Sequence, residues 1–242
     1  MSGEIKRSKI CVPIVAVDEI EIIRQLKKIT DKKKTAMIDM VEFRADYYKD
    51  LNDFKKLDKL LMNIRDELNK EGIKLLFTIR SKAEGGEALD FEKPAVNEIN
   101  LHIAENKLAD LIDIEYYSEK NSADRVMSEA KKNNIKIILS SHDFEKTPSL
   151  DEMLERYKGM QERKADIIKL AVMPHSEQDV SNLLKAVLST YEKYSDVKVV
   201  GISMGELGRR TRIEGYKYGS YMTFAIIDKA SAPGQVSVEE LN

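Results

Sequence analysis

Eight short runs of branched apolar residues, at 10–16, 36–43, 73–79, 111–114, 135–139, 167–172, 197–202 and 222–227, recur at near-even spacing along the chain. Their length and composition read as strands, the last being the weakest of the set. The stretches between them are charged and carry apolar residues at helical spacing. Ile20, Ile23, Leu26 and Ile29 step along one helix face, and Leu51, Phe54, Leu57, Leu60, Leu61 and Ile64 do the same before a stop at Gly72. Pro94 suits a first helical turn, while Ser149 with Glu152 and Ser176 with Asp179 are spaced as capping pairs. Near-continuous apolar strands separated by helices require a parallel sheet covered on both faces. Eight such units in 242 residues match a closed (β/α)8 barrel, the TIM barrel, with residues 1–242 as one domain. An open, doubly wound sheet is the alternative.

Composition narrows what such a fold can do. With 5 Pro, 11 Gly and no low-complexity segment, nothing marks a domain boundary. Forty basic against 42 acidic residues leave a net charge of -2, so no global field attracts nucleic acid or an anionic membrane. The Lys32-Lys33-Lys34 run reads as a solvated helix end. A lone cysteine, Cys11, excludes an intrachain disulfide and reads as a small buried hydrophobe. The N-terminus lacks a secretory apolar region and no run approaches a membrane span, which predicts a cytoplasmic protein. No Walker sequence, no GxGxxG and no Cys/His set at ligand spacing is present, so neither a nucleotide nor a metal site is expected.

Polar residues gather at the ends of the strands. Glu42 and Arg44, then Arg80, Asp113 and Glu115, His142, Lys169 and Ser203 each fall at or near a strand's C-terminal end, where barrel active sites are built. Glu42 and Arg44 are two residues apart, as are Asp113 and Glu115, so each pair points one way. Burying four charges against helices would cost several kcal/mol apiece, which turns them inward. For Asp113 and Glu115 an ion-pair layer filling the barrel competes with a role in a site.

Lys169 stands alone in the run Ile167-Ile168-Lys169-Leu170-Ala171-Val172-Met173. Long lysines often lay their methylenes on apolar surface and return the ammonium to water, and by itself this one reads that way first. If it is buried, desolvation lowers its pKa, and a neutral amine attacks carbonyl carbon. His142 follows the preceding strand, about 4.8 Å away in a parallel sheet, with a side chain suited to moving protons near neutral pH. Gly85-Gly86 can permit positive φ and close approach of a ligand. His102 lies on a helix face and reads as structural; His175 follows Pro174 in a loop.

Six segments, VEFRAD at 41–46, FTIRSKAEGGE at 77–87, DLIDIE at 110–115, SSHDFEKTP at 140–148, ADIIKLAVMP at 165–174 and ASAPGQ at 230–235, resemble in order those of the type I 3-dehydroquinate dehydratases of the shikimate pathway. The resemblance runs from about residue 10 to the C-terminus. It implies a (β/α)8 barrel, a homodimer, and loss of water from 3-dehydroquinate to give 3-dehydroshikimate without metal or organic cofactor. It assigns the imine to Lys169, proton transfer to His142 and orientation of that histidine to Glu84. Glu42, Arg44, Arg80, Arg212, Ser231 and Gln235 match the substrate contacts. Thr211 replaces a serine common in the family and keeps a hydroxyl, and Phe43 stands where many relatives have tryptophan. The loop at 230–237 is expected to close over the mouth. Two other readings share some of these features: a class I aldolase would use the same lysine, and a non-catalytic metabolite sensor would keep the barrel.

Overall fold

The computed structural model describes residues 7–87, 93–227 and 231–241. Among them, nine strands form one sheet: β1 (Lys9–Ile14), β2 (Met40–Arg44), β3 (Lys74–Thr78), β4 (Leu111–Glu115), β5 (Lys136–Asp143), β6 (Ile167–Val172), β7 (Lys198–Ser203), β8 (Met222–Ile226) and β9 (Val236–Ser237). They are connected by α1 (Glu19–Lys33), α2 (Phe54–Lys70), α3 (Lys93–Glu105), α4 (Lys120–Lys132), α5 (Leu150–Glu162), α6 (Glu177–Lys193) and α7 (Arg209–Glu214). The order β7-β6-β5-β4-β3-β2-β1-β8-β9 has parallel pairing throughout. β8 returns to β7 through one bridge, Val199 to Ser220, beside which the Tyr221 N–H donates to the Val199 carbonyl at 2.7 Å. That return curls the sheet into the barrel expected from the alternation.

The β7–β8 seam is the thinnest in the ring, and side chains reinforce it. Across it Gly201 N–H donates to Ser220 Oγ at 3.3 Å, and the Tyr157 hydroxyl ties α5 to β7 by donating to the Val200 carbonyl at 2.8 Å. The eighth unit also ends differently from the others. β9 pairs with β8, and one turn at Val238–Leu241 follows, with Glu239 paired to Lys32 of α1 and Glu240 to Arg209 of α7. Those partners put the turn where an eighth helix would pack. Lys33, expected in water, donates to the Ile38 carbonyl at 2.6 Å.

Period-two alternation sorts each strand into two faces. Val41 and Phe43, Ile137 and Leu139, Ile168 and Leu170 join the outer core against the helices. Met40, Ile138, Ile167, Val200 and Phe224 fill the inside of the ring with Cys11 and Leu76. Each fully buried branched or aromatic side chain contributes about 1.5–3 kcal/mol relative to exposure. The inner face stays apolar through its lower layers and turns polar near the strand ends, which is why these strands read as continuous apolar runs with a polar tail.

The helices follow the same pattern with one shift. α2 buries Leu57, Leu60, Leu61, Ile64 and Leu68, and Gly72 behind it takes φ 66°. Capping boxes open α5 at Ser149–Glu152 and α6 at Ser176–Asp179, and Pro94 is the second residue of α3. On α1, however, the buried face is Ile22, Gln25, Leu26 and Ile29, while Ile20 is 84% exposed. Gln25 is drawn inward by the backbone of Val15: its amide accepts from the N–H and donates to the carbonyl, each at 3.0 Å.

Candidate active site

A cleft of about 460 Å³ opens at the C-terminal ends of the strands. The nine residues singled out in the sequence, Glu42, Arg44, Arg80, Glu84, His142, Lys169, Arg212, Ser231 and Gln235, all line it. Phe144, Ala171, Ile202, Met204 and Phe224 supply apolar wall. The cleft has the mixed polar and apolar lining of a small-molecule site.

Lys169 projects inward from the middle of β6, one layer above Ile167. It is 5% exposed, and among the described residues it makes no hydrogen bond or ion pair; its ammonium faces the Phe224 ring at 4.3 Å. Burial pushes its pKa down, and Arg80 pushes the same way against Asp113 and Glu42. A fraction of neutral amine is therefore available at the floor of the cleft.

β5 runs further than its apolar stretch indicates. Ser140, Ser141, His142 and Asp143 continue the ladder because β6 offers Lys169, Leu170, Ala171 and Val172 as partners, so His142 lies on the strand itself. Its register is opposite Ala171, two residues above Lys169 and on the same inner face. Burial, then Arg80, Lys169 and Arg44, holds the imidazole well below the ordinary histidine range, so it is neutral. Glu84 Oε2 accepts the His142 backbone N–H at 3.0 Å and meets ring Nδ1 at 2.9 Å. In the tautomer whose proton sits on Nδ1, Nε2 is the basic nitrogen. Burial raises Glu84 to about 8, partly opposed by Arg80 and helped by Glu115 and Asp113.

Glu84 is delivered by a tightly constrained loop. The Ser81 carbonyl accepts from both Glu84 N–H (3.0 Å) and Gly86 N–H (2.8 Å), and Ser81 N–H donates to Glu115 at 2.7 Å. Gly85 adopts φ 80°, and a Cβ there would stand 2.3 Å from the Phe144 ring; one at Gly86 would stand 1.9 Å from the Arg80 carbonyl oxygen. Gly85 thus takes the positive φ expected of it and lines the cleft, and both glycines also allow close packing of the protein on itself.

The arginines differ sharply in what surrounds them. Arg80 donates to Asp113 at 2.8 Å, Ser140 Oγ at 3.0 Å and Glu115 at 3.4 Å, and lies 3.6 Å from Glu84. Asp113 and Glu115 thus form an ion-pair layer around Arg80, and neither lines the cleft. Glu42 accepts from Thr78 Oγ1 at 2.9 Å. Arg212, on α7, has no carboxylate partner among the described residues: Nη2 donates to the Pro233 carbonyl at 3.0 Å and Nε is buried without a partner. Burial alone lowers its pKa to about 10. Thr211 uses its hydroxyl to accept from Ser203 N–H at 3.0 Å and to donate to the Gly208 carbonyl at 2.7 Å, which anchors α7 beside β7.

Ser231 and Gln235 brace each other across a short loop: Ser231 N–H donates to Gln235 Oε1 at 2.8 Å and Gln235 Nε2 to Ser231 Oγ at 3.1 Å. Ala230, which opens the ASAPGQ segment, lies outside the described residues. Two histidines stand apart from the cleft. His102 stacks on Phe54 at 4.2 Å and meets Asp58 at 2.7 Å, joining α3 to α2, and His175 Nε2 meets the Glu145 carbonyl at 2.6 Å. Asp46, inside the VEFRAD segment but not singled out, is 1% exposed and grips the Nε–Nη2 edge of Arg44 with both oxygens. Its place two residues after Arg44 is the sequence signal that could have found it.

A family model for type I 3-dehydroquinase matches residues 10–242. The 3-dehydroquinate dehydratase of Clostridioides difficile is 38% identical over 98% of this chain and 90% of its own length, and that of Enterococcus faecalis is 40% identical over 96% and 89%. A crystal structure of the type I enzyme from Clostridium difficile, with covalently modified comenic acid, superposes with a TM-score of 0.89 at 38% identity over 97% of this chain and 89% of that one. The Geobacillus kaustophilus 3-dehydroquinate dehydratase gives 0.91 at 29% identity over 98% and 89%. With a barrel, a buried inward lysine and a match over nearly the whole chain in agreement, this protein belongs to the type I 3-dehydroquinase family.

Proposed function

We propose that the chain is a 3-dehydroquinate dehydratase that removes water from 3-dehydroquinate through an imine on Lys169, with His142 moving the protons. One observation carries the reading. A buried lysine without an anionic hydrogen-bond partner shares the inner barrel face with a neutral histidine held by a carboxyl group.

The chemistry explains why those groups belong together. The hydrogen lost lies next to a ketone and the hydroxyl lost is one carbon further. A ketone alone is a modest electron sink. Neutral Lys169 adds to the ketone carbon, and loss of that oxygen as water leaves an iminium. His142 Nε2 takes the adjacent carbon-bound proton, the electrons move into an enamine, and the enamine expels the hydroxyl, which leaves as water with a proton returned from the histidine. Hydrolysis restores the lysine and releases the unsaturated ketone. Glu84 keeps the imidazole in the tautomer that leaves Nε2 basic.

Substrate binding follows from the charges. Arg212, uncompensated and buried, receives the carboxylate by a planar fork. Glu42, Arg44, Arg80, Ser231 and Gln235 meet the hydroxyls and the remaining oxygen. The 231–235 loop, whose Ser231 and Pro233 carbonyls face Arg44 and Arg212, acts as a lid over the bound ring. The working protein is a cytoplasmic homodimer of single-domain subunits, a reading that rests on the family resemblance and that light scattering tests for the dimer.

Turnover of purified protein with 3-dehydroquinate is followed by the ultraviolet absorbance of the conjugated product. Steady formation of 3-dehydroshikimate is expected. No product above the uncatalysed background sinks the assignment.

A further inference from the structure

Three arginines face one cleft, yet only Arg212 presents an open charge. Arg44 gives Nε and Nη2 to the two oxygens of Asp46, at 2.8 and 2.7 Å, in a pair whose side chains are 6% and 0% exposed. Asp46 is itself tethered, since one of its oxygens also accepts the Glu87 N–H at 3.1 Å. The Tyr47 ring stands 5.1 Å from the Arg44 guanidinium carbon. Arg44 also hydrogen-bonds the Tyr47 side chain, and its Nη1 makes a long 3.4 Å contact with the Ser231 carbonyl at the cleft.

A closed bidentate pair in a low-dielectric wall presents a donor and a dipole rather than a net positive charge. A carboxylate brought to Nη1 would feel the negative charge of Asp46 across the guanidinium and face Glu42, two residues before Arg44 on the same inner face of β2. A hydroxyl brings no charge and replaces the weak Ser231 contact.

We propose that Asp46 is a positioning residue that sets selectivity for substrates with a single carboxylate: by closing an ion pair with Arg44 it makes that guanidinium a donor for a neutral hydroxyl and leaves Arg212 as the carboxylate receptor. The dehydratase reading enters only in the choice of a six-membered ring for the probes. Asp46 also docks Glu87, three residues after Glu84, so the pair ties the binding wall to the proton-transfer residues.

The test compares trans-4-hydroxycyclohexanecarboxylate with trans-cyclohexane-1,4-dicarboxylate, two ligands differing in one group, by ligand-observed NMR titration. In the unaltered protein the dicarboxylate is expected to bind about tenfold more weakly, the scale of one charge-assisted hydrogen bond. Asp46→Asn keeps an oxygen for Glu87 N–H but opens the charge of Arg44, and should shift the ratio about tenfold toward the dicarboxylate. A substitution that merely loosens the fold weakens both ligands alike, so an unchanged ratio overturns the proposal. If Asp46→Asn does not fold, the unaltered protein decides: equal or tighter binding of the dicarboxylate, or no binding of the hydroxy acid at millimolar concentration, overturns it. Binding is read without turnover, so an inactive enzyme that keeps the expected ratio contradicts the dehydratase reading alone.

Discussion

The two mouths of the barrel use the same kinds of charged residue to opposite ends. At the lower mouth, Lys9, Lys74, Lys136 and Lys198 open β1, β3, β5 and β7, and Asp39, Asp110 and Asp166 immediately precede β2, β4 and β6. Each aspartate pairs with the lysine of the preceding strand, at 2.9, 3.2 and 2.6 Å, and accepts the next backbone N–H, of Ile10, Leu75 or Ile137, at 2.9 Å. The fourth unit has Tyr221 in the aspartate's place, with the Lys198 ammonium 5.7 Å from its ring. At the upper mouth, carboxylates crowd around Arg80, Asp113 Oδ2 is left without a partner, and Lys169 and Arg212 lack carboxylate partners among the described residues. At the lower mouth three of the four lysines are paired within the protein, and those pairs hold neighbouring strands together. The upper one is electrostatically unfinished, and a carboxylate-bearing ketone is the kind of molecule that finishes it.

This contrast can be broken from either end. Lys169→Ala should abolish turnover, a loss of about 10⁴-fold or more for a covalent nucleophile, while the melting temperature holds or rises because a desolvated cation is removed. Full-length melting curves beside kinetic assays check both halves, and a sharply lowered melting temperature would place Lys169 among the structural residues. Arg212→Ala should act chiefly on KM, by roughly 10- to 150-fold, corresponding to about 1.5–3 kcal/mol for hydrogen bonds to a charged group. An unaltered KM contradicts its role as carboxylate receptor.

Effects at the lower mouth should be smaller and confined to stability. Asp110→Asn keeps an acceptor for Leu75 N–H but loses the Lys74 ion pair, which should cost up to about 1 kcal/mol, or about 2–4 °C, with kcat and KM unchanged. A kinetic defect there would erase the distinction between the two mouths. A further effect is a pH dependence. Burial raises Glu84 to about 8, above the ordinary glutamate value near ~4.3, so the folded protein retains a proton that the unfolded chain releases. Its contribution is present below the ordinary value and lost as pH rises toward 8. Thermal melts between about pH 5 and pH 8 should therefore fall less steeply for Glu84→Gln than for the unaltered protein; equal slopes would contradict the raised value.

Much of the upper mouth was readable because period two is rigid. Once a strand is recognised, Glu42 with Arg44 and Asp113 with Glu115 must share a face, and the apolar outer positions leave only the interior. The lower mouth was equally written in the chain, yet its repeat spans two strand–helix units and escapes a reading made one strand at a time. Other features depend on partners far along the chain. β5 continues through His142 because β6 stays beside it, and Gln25 turns inward because Val15 lies within reach. Gly85 takes the positive φ that the glycine pair suggested, but its close packing on Phe144, 59 residues later, has no local signal.

The chemistry proposed for the upper mouth turns on Lys169 acting as the covalent electron sink. Incubation with 3-dehydroquinate, reduction with borohydride and peptide mapping by mass should place one reduced substrate adduct on the peptide containing Lys169, with none formed when either reagent is omitted. An active enzyme that emerges with Lys169 unmodified, or carries the adduct on another lysine, would contradict the imine mechanism.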